Sequence, residues 1–484
     1  MSNIDLKPRG PKGRAGKAQP AAAPKRLHAA PQTIYPRAVD GPFRRLKWAI
    51  MAACLALYYL APWLRWDRGP GAPDQAVLLD LVNCRFYLFA IEIWPQEFYF
   101  VAGLLIMAGI GLFFLTTMVG RAWCGYACPQ TVWTDLFQHV DRLIDGDRNA
   151  QMRLAAQPWD AGKIARRLAK WSIYLAISFA TGGACILYFA DAPRLWHEFF
   201  VGQASAIAYS TVLILTGTTL WLGGFMREQV CLYMCPWPRI QSAMLDERSL
   251  LVTYKDWRGE ERGKTGGGDC VDCGLCAAVC PTGIDIRDGA QMACINCALC
   301  IDACDGVMAR LGRPRRLIDY STLEADEAGR KGLAASTTIW RGRSLAYLAL
   351  WLAIGAGLLF ALAMRPRLAI SVAKDRNPPF MVMSDGSIRN AYLVKWRNME
   401  GRPRPMRLSI AGARGMVMWS EDADKARAST SLERVIPADQ SKALRVYVLS
   451  PAQTRTDSLQ FRLNALDKQG GEAVYGARLD GPPL

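Results

Sequence analysis

Apolar and polar positions fall into separate regimes along the chain. Five stretches, about Leu46 to Leu64, Phe98 to Val119, Trp171 to Ala190, Ala206 to Met226 and Leu345 to Ala363, are almost free of charge. Each has the roughly 20 residues needed to cross a hydrocarbon layer of about 30 Å, so five transmembrane helices are predicted. Phe86 to Trp94 is apolar but too short, which predicts an interfacial or re-entrant helix before the second span. Beyond residue 365 the period shortens to two, in Ala391 to Trp396, Arg407 to Ala411, Leu444 to Leu449 and Leu459 to Ala465. Turn signals such as Asp385-Gly386 and Gly401-Arg402-Pro403 separate these runs, as in an antiparallel, immunoglobulin-like β-sandwich. Residues 1–45, rich in Pro, Gly, Ala and Lys/Arg, predict a disordered basic tail. They do not make a cleaved signal peptide, because the first apolar run starts near residue 46 and is a full span.

Composition changes the picture only once it is mapped. The 484 residues are 51% hydrophobic and 21% charged, an average that resembles a soluble protein although the apolar residues are concentrated. The net charge of +17 is also localised. Lys and Arg number 11 in residues 1–47, 3 in 65–96, 8 in 120–170 and 1 in 191–203. Basic connections tend to stay in the cytoplasm, so the N-terminus, the 120–170 loop and the 227–344 segment are expected there, in a bacterial cytoplasmic (inner) membrane. The expected architecture is a multi-domain membrane protein. A cytoplasmic tail (1–45) leads into spans one to four (46–226), followed by a cytoplasmic segment (227–344), the fifth span (345–364) and a periplasmic β-sandwich (365–484). The lipid bilayer is then one partner. Nucleic acid is not expected, since no aromatic-basic reading surface accompanies the charge.

All fifteen cysteines lie at or before Cys304. Eight form two runs, Cys270-x2-Cys273-x2-Cys276-x3-Cys280-Pro281 and Cys294-x2-Cys297-x2-Cys300-x3-Cys304, within a ferredoxin-like insert at 265–310. Three closely spaced thiolates wrap one face of a [4Fe-4S] cube while the fourth of each run reaches the other cube. One cluster is therefore expected on Cys270, Cys273, Cys276 and Cys304, and the second on Cys294, Cys297, Cys300 and Cys280. Tetrathiolate zinc sites use Cys-x2-Cys pairs but do not call for two sets of three cysteines at this spacing. Disulfides do not suit a reducing compartment. Asp305, where proline would follow the last cysteine, departs from the pattern. Gly274, Gly283 and Gly289 suit tight loops around the cubes.

A second constellation is an internal repeat at 124–129 and 231–236, Cys124-Gly-Tyr126-Ala-Cys128-Pro129 and Cys231-Leu-Tyr233-Met-Cys235-Pro236, each copy following directly on a span. A helix continued through the motif puts cysteines i and i+4 on one face, with the proline stopping or kinking it afterwards. Two such pairs can gather four soft ligands, and thiolates favour Cu(I) over Cu(II). Cys124, Cys128, Cys231 and Cys235 are thus candidate catalytic, copper-binding thiols, with Met118, Met226 and Met234 as thioether candidates. Buried helix-end cysteines, a redox-active dithiol or a quinone contact are the alternatives. Cys54, Cys84 and Cys185 read as packing residues. His28, His139 and His197 are too few for bis-histidine di-haem ligation, and His139 falls on an expected amphipathic surface helix. Gly266-Gly267-Gly268 reads as a flexible linker, lacking the preceding strand and Lys-Ser/Thr of a phosphate loop.

Five spans, two Cys-x3-Cys-Pro motifs, a two-cluster insert and a terminal β-sandwich together resemble the CcoG/FixG/RdxA family of cbb(3)-type cytochrome c oxidase accessory proteins, from about residue 34 onward. That resemblance implies a membrane-bound cupric reductase supplying Cu(I) for oxidase assembly. Its expected partners are a cytoplasmic electron donor and a copper chaperone, copper transporter or oxidase assembly factors. The competing class is a NapH-like quinol- or quinone-linked electron-transfer subunit of a respiratory chain, which shares the cysteine motifs but lacks a reason for the outer sandwich. A homodimer is compatible with the sequence.

Overall fold

The computed structural model describes residues 33–69, 72–263, 266–333, 338, 340–412, 415–423, 425–451, 458–468 and 470–481. The expected tail up to residue 32, with His28, lies outside them. Two compact units emerge, one of residues up to Leu64 with Ala76–Ala356, the other of Arg65–Gln75 with Gly357–Leu484.

In the first unit, four helices among the described residues are long and apolar enough to cross a membrane: Pro42–Trp63, Pro95–Val119, Ala206–Met226 and Gly342–Met364. The third predicted span lies on helix Ala161–Ile186, which begins ten residues early and ends before Leu187. Its first turns carry Lys163, Arg166, Arg167 and Lys170, so only its second half is apolar. The last turns of the fourth predicted span, Leu220–Met226, widen to a π-helix, and Arg227 follows at φ +46°. Arg227 and Lys170 converge on buried Asp141 at 2.8 and 3.2 Å, and the Tyr174 hydroxyl donates to the same carboxylate at 2.5 Å. Lys170 also meets Asp145 at 2.8 Å. The network ties the helix Pro129–Asp145 to the two helices beside it.

Two expectations are corrected here. Phe86 to Trp94 is not a helix. It supplies two strands of an antiparallel meander, β1 (Val77–Asp80), β2 (Arg85–Leu88) and β3 (Ile91–Ile93). A short apolar run is ambiguous by period, and here the chain turns back between Leu88 and Ile91, which pair with each other. Nor does the tail run unstructured to residue 45. Pro42 opens the first helix, the Arg37 N–H donates to the Ala278 carbonyl at 2.8 Å, and Ile34 packs on Gly283.

The cysteine-rich segment folds against the membrane helices. Strands β4 (Leu251–Tyr254) and β5 (Ile318–Ser321) pair antiparallel, and helices Leu275–Ala278 and Leu299–Arg310 lie beside them over a core of Val252, Ile286, Ile301, Met308, Leu317 and Ile318. The Asp302 carboxylate accepts the backbone N–H groups of Phe43 at 3.3 Å and Arg44 at 2.8 Å. It thereby caps the first helix from outside, satisfying two of its orphan donors and facing the positive end of its dipole.

The second unit is the β-sandwich. Its strands are β6 (Leu368–Lys374), β7 (Met381–Val382), β8 (Ile388–Asn398), β9 (Arg404–Ala411), β10 (Val417–Ser420), β11 (Ser431–Ile436), β12 (Ser441–Ser450), β13 (Ser458–Ala465) and β14 (Glu472–Arg478). One sheet runs β10-β12-β8-β6 with β7 also on β8, the other β11-β9-β13-β14. Period-two alternation sends Tyr392, Val394 and Trp396 of β8 into the core with Met406, Leu408 and Phe461 of the facing sheet. The Tyr392 and Phe461 rings meet edge-on at 5.2 Å. All four predicted runs are strands, extended mostly at their ends.

Candidate metal centre

The cysteines surround two cavities. Cys276, Cys280, Cys294, Cys297 and Cys300 line the first; Cys270, Cys273, Cys276 and Cys304 line the second. Electrostatic proximity follows the same division: Cys304 acts with Cys276, Cys270 and Cys273, whereas Cys294 acts with Cys297 and Cys280. Burial pushes the Cys276 thiol up to about 11 and those of Cys294 and Cys304 to about 12, so a metal must displace protons there. Among the described residues no three His, Cys, Asp or Glu side chains close on a single-ion site.

Both runs share an unusual backbone. Asp272 and Gly274, flanking Cys273, have φ +56° and +65°; Asn296 and Ala298, flanking Cys297, have φ +52° and +59°. Asp, Asn and Gly adopt this left-handed region at low cost, alanine does not. Left-handed residues in a turn can aim neighbouring N–H groups into one concavity, which suits an anion. A thiolate-ligated [4Fe-4S] cube is anionic, so the donor set and the backbone both fit it.

The first Cys-x3-Cys-Pro motif abuts this ground. Gly125 sits so tightly on the second ligand run that a Cβ there would stand 2.6 Å from the Ile295 carbonyl oxygen and 3.1 Å from both Cα and N of Cys297. The Tyr126 hydroxyl donates to the Cys297 carbonyl at 3.2 Å, and that of Tyr320 to the Asn296 carbonyl at 2.6 Å. Arg121 donates to the Met292 carbonyl. Cys124 belongs to a buried cluster with Val279, Ile295, Cys297 and Leu299.

The four motif thiols are near neighbours: Cys124 is influenced by Cys128 and Cys235, and Cys231 by Cys128, Cys124 and Cys235. Burial pushes the Cys124 thiol up to about 11 and the Cys231 thiol up to about 12. The helix does not continue through either motif. It ends at Tyr126 and at Met234, and the second cysteine of each pair is extended (ψ 129° at Cys128, 124° at Cys235). Pro129 opens the next helix in the first copy, and in the second Pro236 sits just ahead of the helix that starts at Trp237. A proline suits a helix start, where its missing N–H costs nothing. Nor are the copies equivalent, for Tyr126 is 8% exposed and Tyr233 73%. Met234 is exposed as well.

Sequence reasoning missed several residues at this site. Gln241, fully buried, accepts from the Cys124 thiol at 3.1 Å and donates to Thr116 Oγ1 at 3.1 Å. Gly125, Tyr320 and Lys47 gave no local signal; only the tyrosine inside the duplicated motif did. His139 is half-buried and edge-on to Trp48 at 5.2 Å, on a helix whose Phe137 and Val140 are buried, so the expected surface helix is a packed one. His197 and Cys84 are exposed, and Cys54 and Cys185 half-buried. Gly266 and Gly268 lie against the backbone of residues 259–261, a close approach in place of the expected free linker.

Membrane helices joined to a dicluster ferredoxin fold and an immunoglobulin-like sandwich define a membrane-bound iron–sulfur electron-transfer protein. A 4Fe-4S dicluster domain profile matches residues 226–265 and 259–323, a 4Fe-4S binding domain profile 100–146, and the profile for the IG-like fold at the C-terminal of FixG 358–482. Protein RdxA of Cereibacter sphaeroides is 52% identical, the match covering 91% of this chain and 95% of that one. Nitrogen fixation protein FixG of Rhizobium meliloti is 51% identical over 93% of each, and Protein RdxB of Cereibacter sphaeroides 48% over 93% and 96%. The chain belongs to the FixG/RdxA family.

Proposed function

We propose that this protein reduces Cu(II) to Cu(I) at Cys124, Cys128, Cys231 and Cys235 and supplies it for assembly of a cbb(3)-type cytochrome oxidase. The carrying observation is the backbone contact of Gly125 with Cys297, which joins the thiol set to an iron–sulfur ligand run without an intervening side chain. When bound in the two cavities, [4Fe-4S] clusters supply reversible one-electron storage beside the thiols. Gly125 permits the approach, Tyr126 and Tyr320 hold the ligand run by its carbonyls, and Gln241 orients the Cys124 thiol. One electron from a cytoplasmic donor converts Cu(II) to Cu(I), whose preference for soft sulfur favours handing on to a thiol-rich chaperone or transporter. The Lys/Arg distribution supports a cytoplasmic position for the cysteine sites, and helix Ala161–Ile186 crossing as a fifth span would put the sandwich in the periplasm, where oxidase assembly factors would dock.

Serine at all four motif positions is expected to leave iron content intact and abolish copper binding and Cu(II) reduction; undiminished reduction refutes the assignment. A quinol-linked reading draws on a cavity whose lining includes Thr134, Gln138, Glu228 and Cys231. Quinol-driven cluster reduction in membranes, measured with and without copper, separates the two.

A further inference from the structure

The ground between the first helix and the second ligand run is charged, with Lys47, Asp135, Arg227 and Glu228 lining one cavity there. Arg44 and Lys47, one turn apart on Pro42–Leu60, both approach Asp135, Arg44 Nη1 at 2.8 Å and Lys47 Nζ at 3.9 Å. Their side chains are 6% and 3% exposed and that of Asp135 is 3%, so two buried cations face one buried carboxylate. Arg44 Nη2 has no hydrogen-bond partner. Lys47 lines the cavity it shares with Pro281, Thr282 and Ile295, the residues next to Cys280 and Cys294. It is also the foremost cationic influence on Cys297, ahead of the opposing Asp135, and Arg121 acts on Cys294. The other cavity differs: its Arg287 is matched by two carboxylates, Asp285 and Asp272, each at 2.6 Å.

We propose that Lys47 is a positioning residue for the electron, its buried charge making the cluster on Cys280, Cys294, Cys297 and Cys300 the easier of the two to reduce. An added electron makes a cluster more negative, and a nearby ammonium in a medium of low dielectric favours that state. The step is the transfer of one electron from a low-potential one-electron donor, with no bond made or broken. Its effect is to keep the electron on the side where Gly125 and Cys124 lie. The inference rests on the iron–sulfur reading of the cavities and is independent of copper.

The test is an EPR-monitored dithionite titration of wild type, Lys47→Met and Lys47→Arg, purified without oxygen in detergent and assayed for iron and sulfide. Lys47→Met is expected to keep both clusters and to weaken reduction of one at least tenfold, about 59 mV for one electron, leaving the other unmoved. Lys47→Arg keeps the wild-type values. The wave that moves is the one altered by Cys294→Ser. Two unmoved waves with both clusters present, or movement of the other wave, overturn the inference. If Lys47→Met does not hold iron, Asp135→Asn decides: removing the opposing charge must raise the same potential, and an unchanged or lowered value overturns it. Wild-type protein without iron overturns the cavity reading and the inference together.

Discussion

Gly125 lies against the backbone of Cys297, close enough that a single added carbon would sit 3.1 Å from its Cα and its nitrogen. Alanine normally improves a helix by about 1 kcal/mol over glycine. At Gly125 the neighbours are backbone atoms of a cluster-ligand run, which cannot swing aside, and overpacking of this kind costs about 1–3 kcal/mol. The clash wins. Gly125→Ala is expected to lower the thermal midpoint in detergent and reduce bound iron, while Gly109→Ala, whose Cβ would meet nothing within 4 Å, does neither.

The left-handed residues of the two cysteine runs give a paired prediction. Gly274 has open space around it, so Gly274→Ala introduces backbone strain alone, about 1 kcal/mol. Ala298 already bears that strain at φ +59°, and Ala298→Gly should raise stability by about 0.5 kcal/mol after the entropy of the unfolded glycine is counted. Chemical denaturation of the two variants should move in opposite directions. Equal signs would disprove the strain argument.

Asp141 is the common partner of Arg227, Lys170 and Tyr174. Replacing it by asparagine leaves the Arg227 guanidinium buried without its carboxylate, a loss of about 3 kcal/mol. Arg227 precedes Cys231 by four residues, so Asp141→Asn is expected both to destabilise the bundle and to raise alkylation of Cys231 by a soluble maleimide. Wild-type labelling rates would show that the network does not hold the second motif.

Asp246 joins the end of the second motif's helix to the start of the last span through Arg341 at 2.7 Å and Arg343 at 3.2 Å. Burial alone would raise its carboxyl, but hydrogen bonds from Arg341 and Ser249 and the two guanidinium charges hold it below the usual carboxylate range. A depressed carboxyl contributes stability that is complete above its unfolded pKa of about 4 and is lost as pH falls through the folded value. Solvent screens the pair, so Asp246→Asn should cost only about 1 kcal/mol at pH 7. The difference from wild type should vanish under acid and shrink in high salt; an effect that grows on acidification contradicts the assignment.

What could be read from the sequence is what depends on local period and spacing. Tyr392, Val394 and Trp396 alternate with Leu393 and Lys395, and that alternation alone finds β8. The two cysteine runs carry their chemistry in their intervals. Arg44, Lys47, Lys170 and Asp141 read as loop charges that orient the chain, and nothing local marks them as buried, because their partners lie on other helices. Ile34 looks like part of a solvated tail for the same reason, its contact on Gly283 being remote in sequence. The meander at 77–93 was lost to the helix–strand ambiguity of a short apolar run, and the start of the third helix at Ala161 was hidden by the charges in its first turns. The inequivalence of Tyr126 and Tyr233 was hidden by the repeat itself.

The bond between Asp302 and the amide of Arg44 joins residues 258 positions apart. A ribosome delivers Arg44 to the bilayer long before Asp302 exists, so the first helix is inserted with its amino end bare. That end is finished only when the late-made segment between Cys300 and Cys304 folds back onto it. The amino end of the membrane bundle is therefore completed by a segment made much later in the chain.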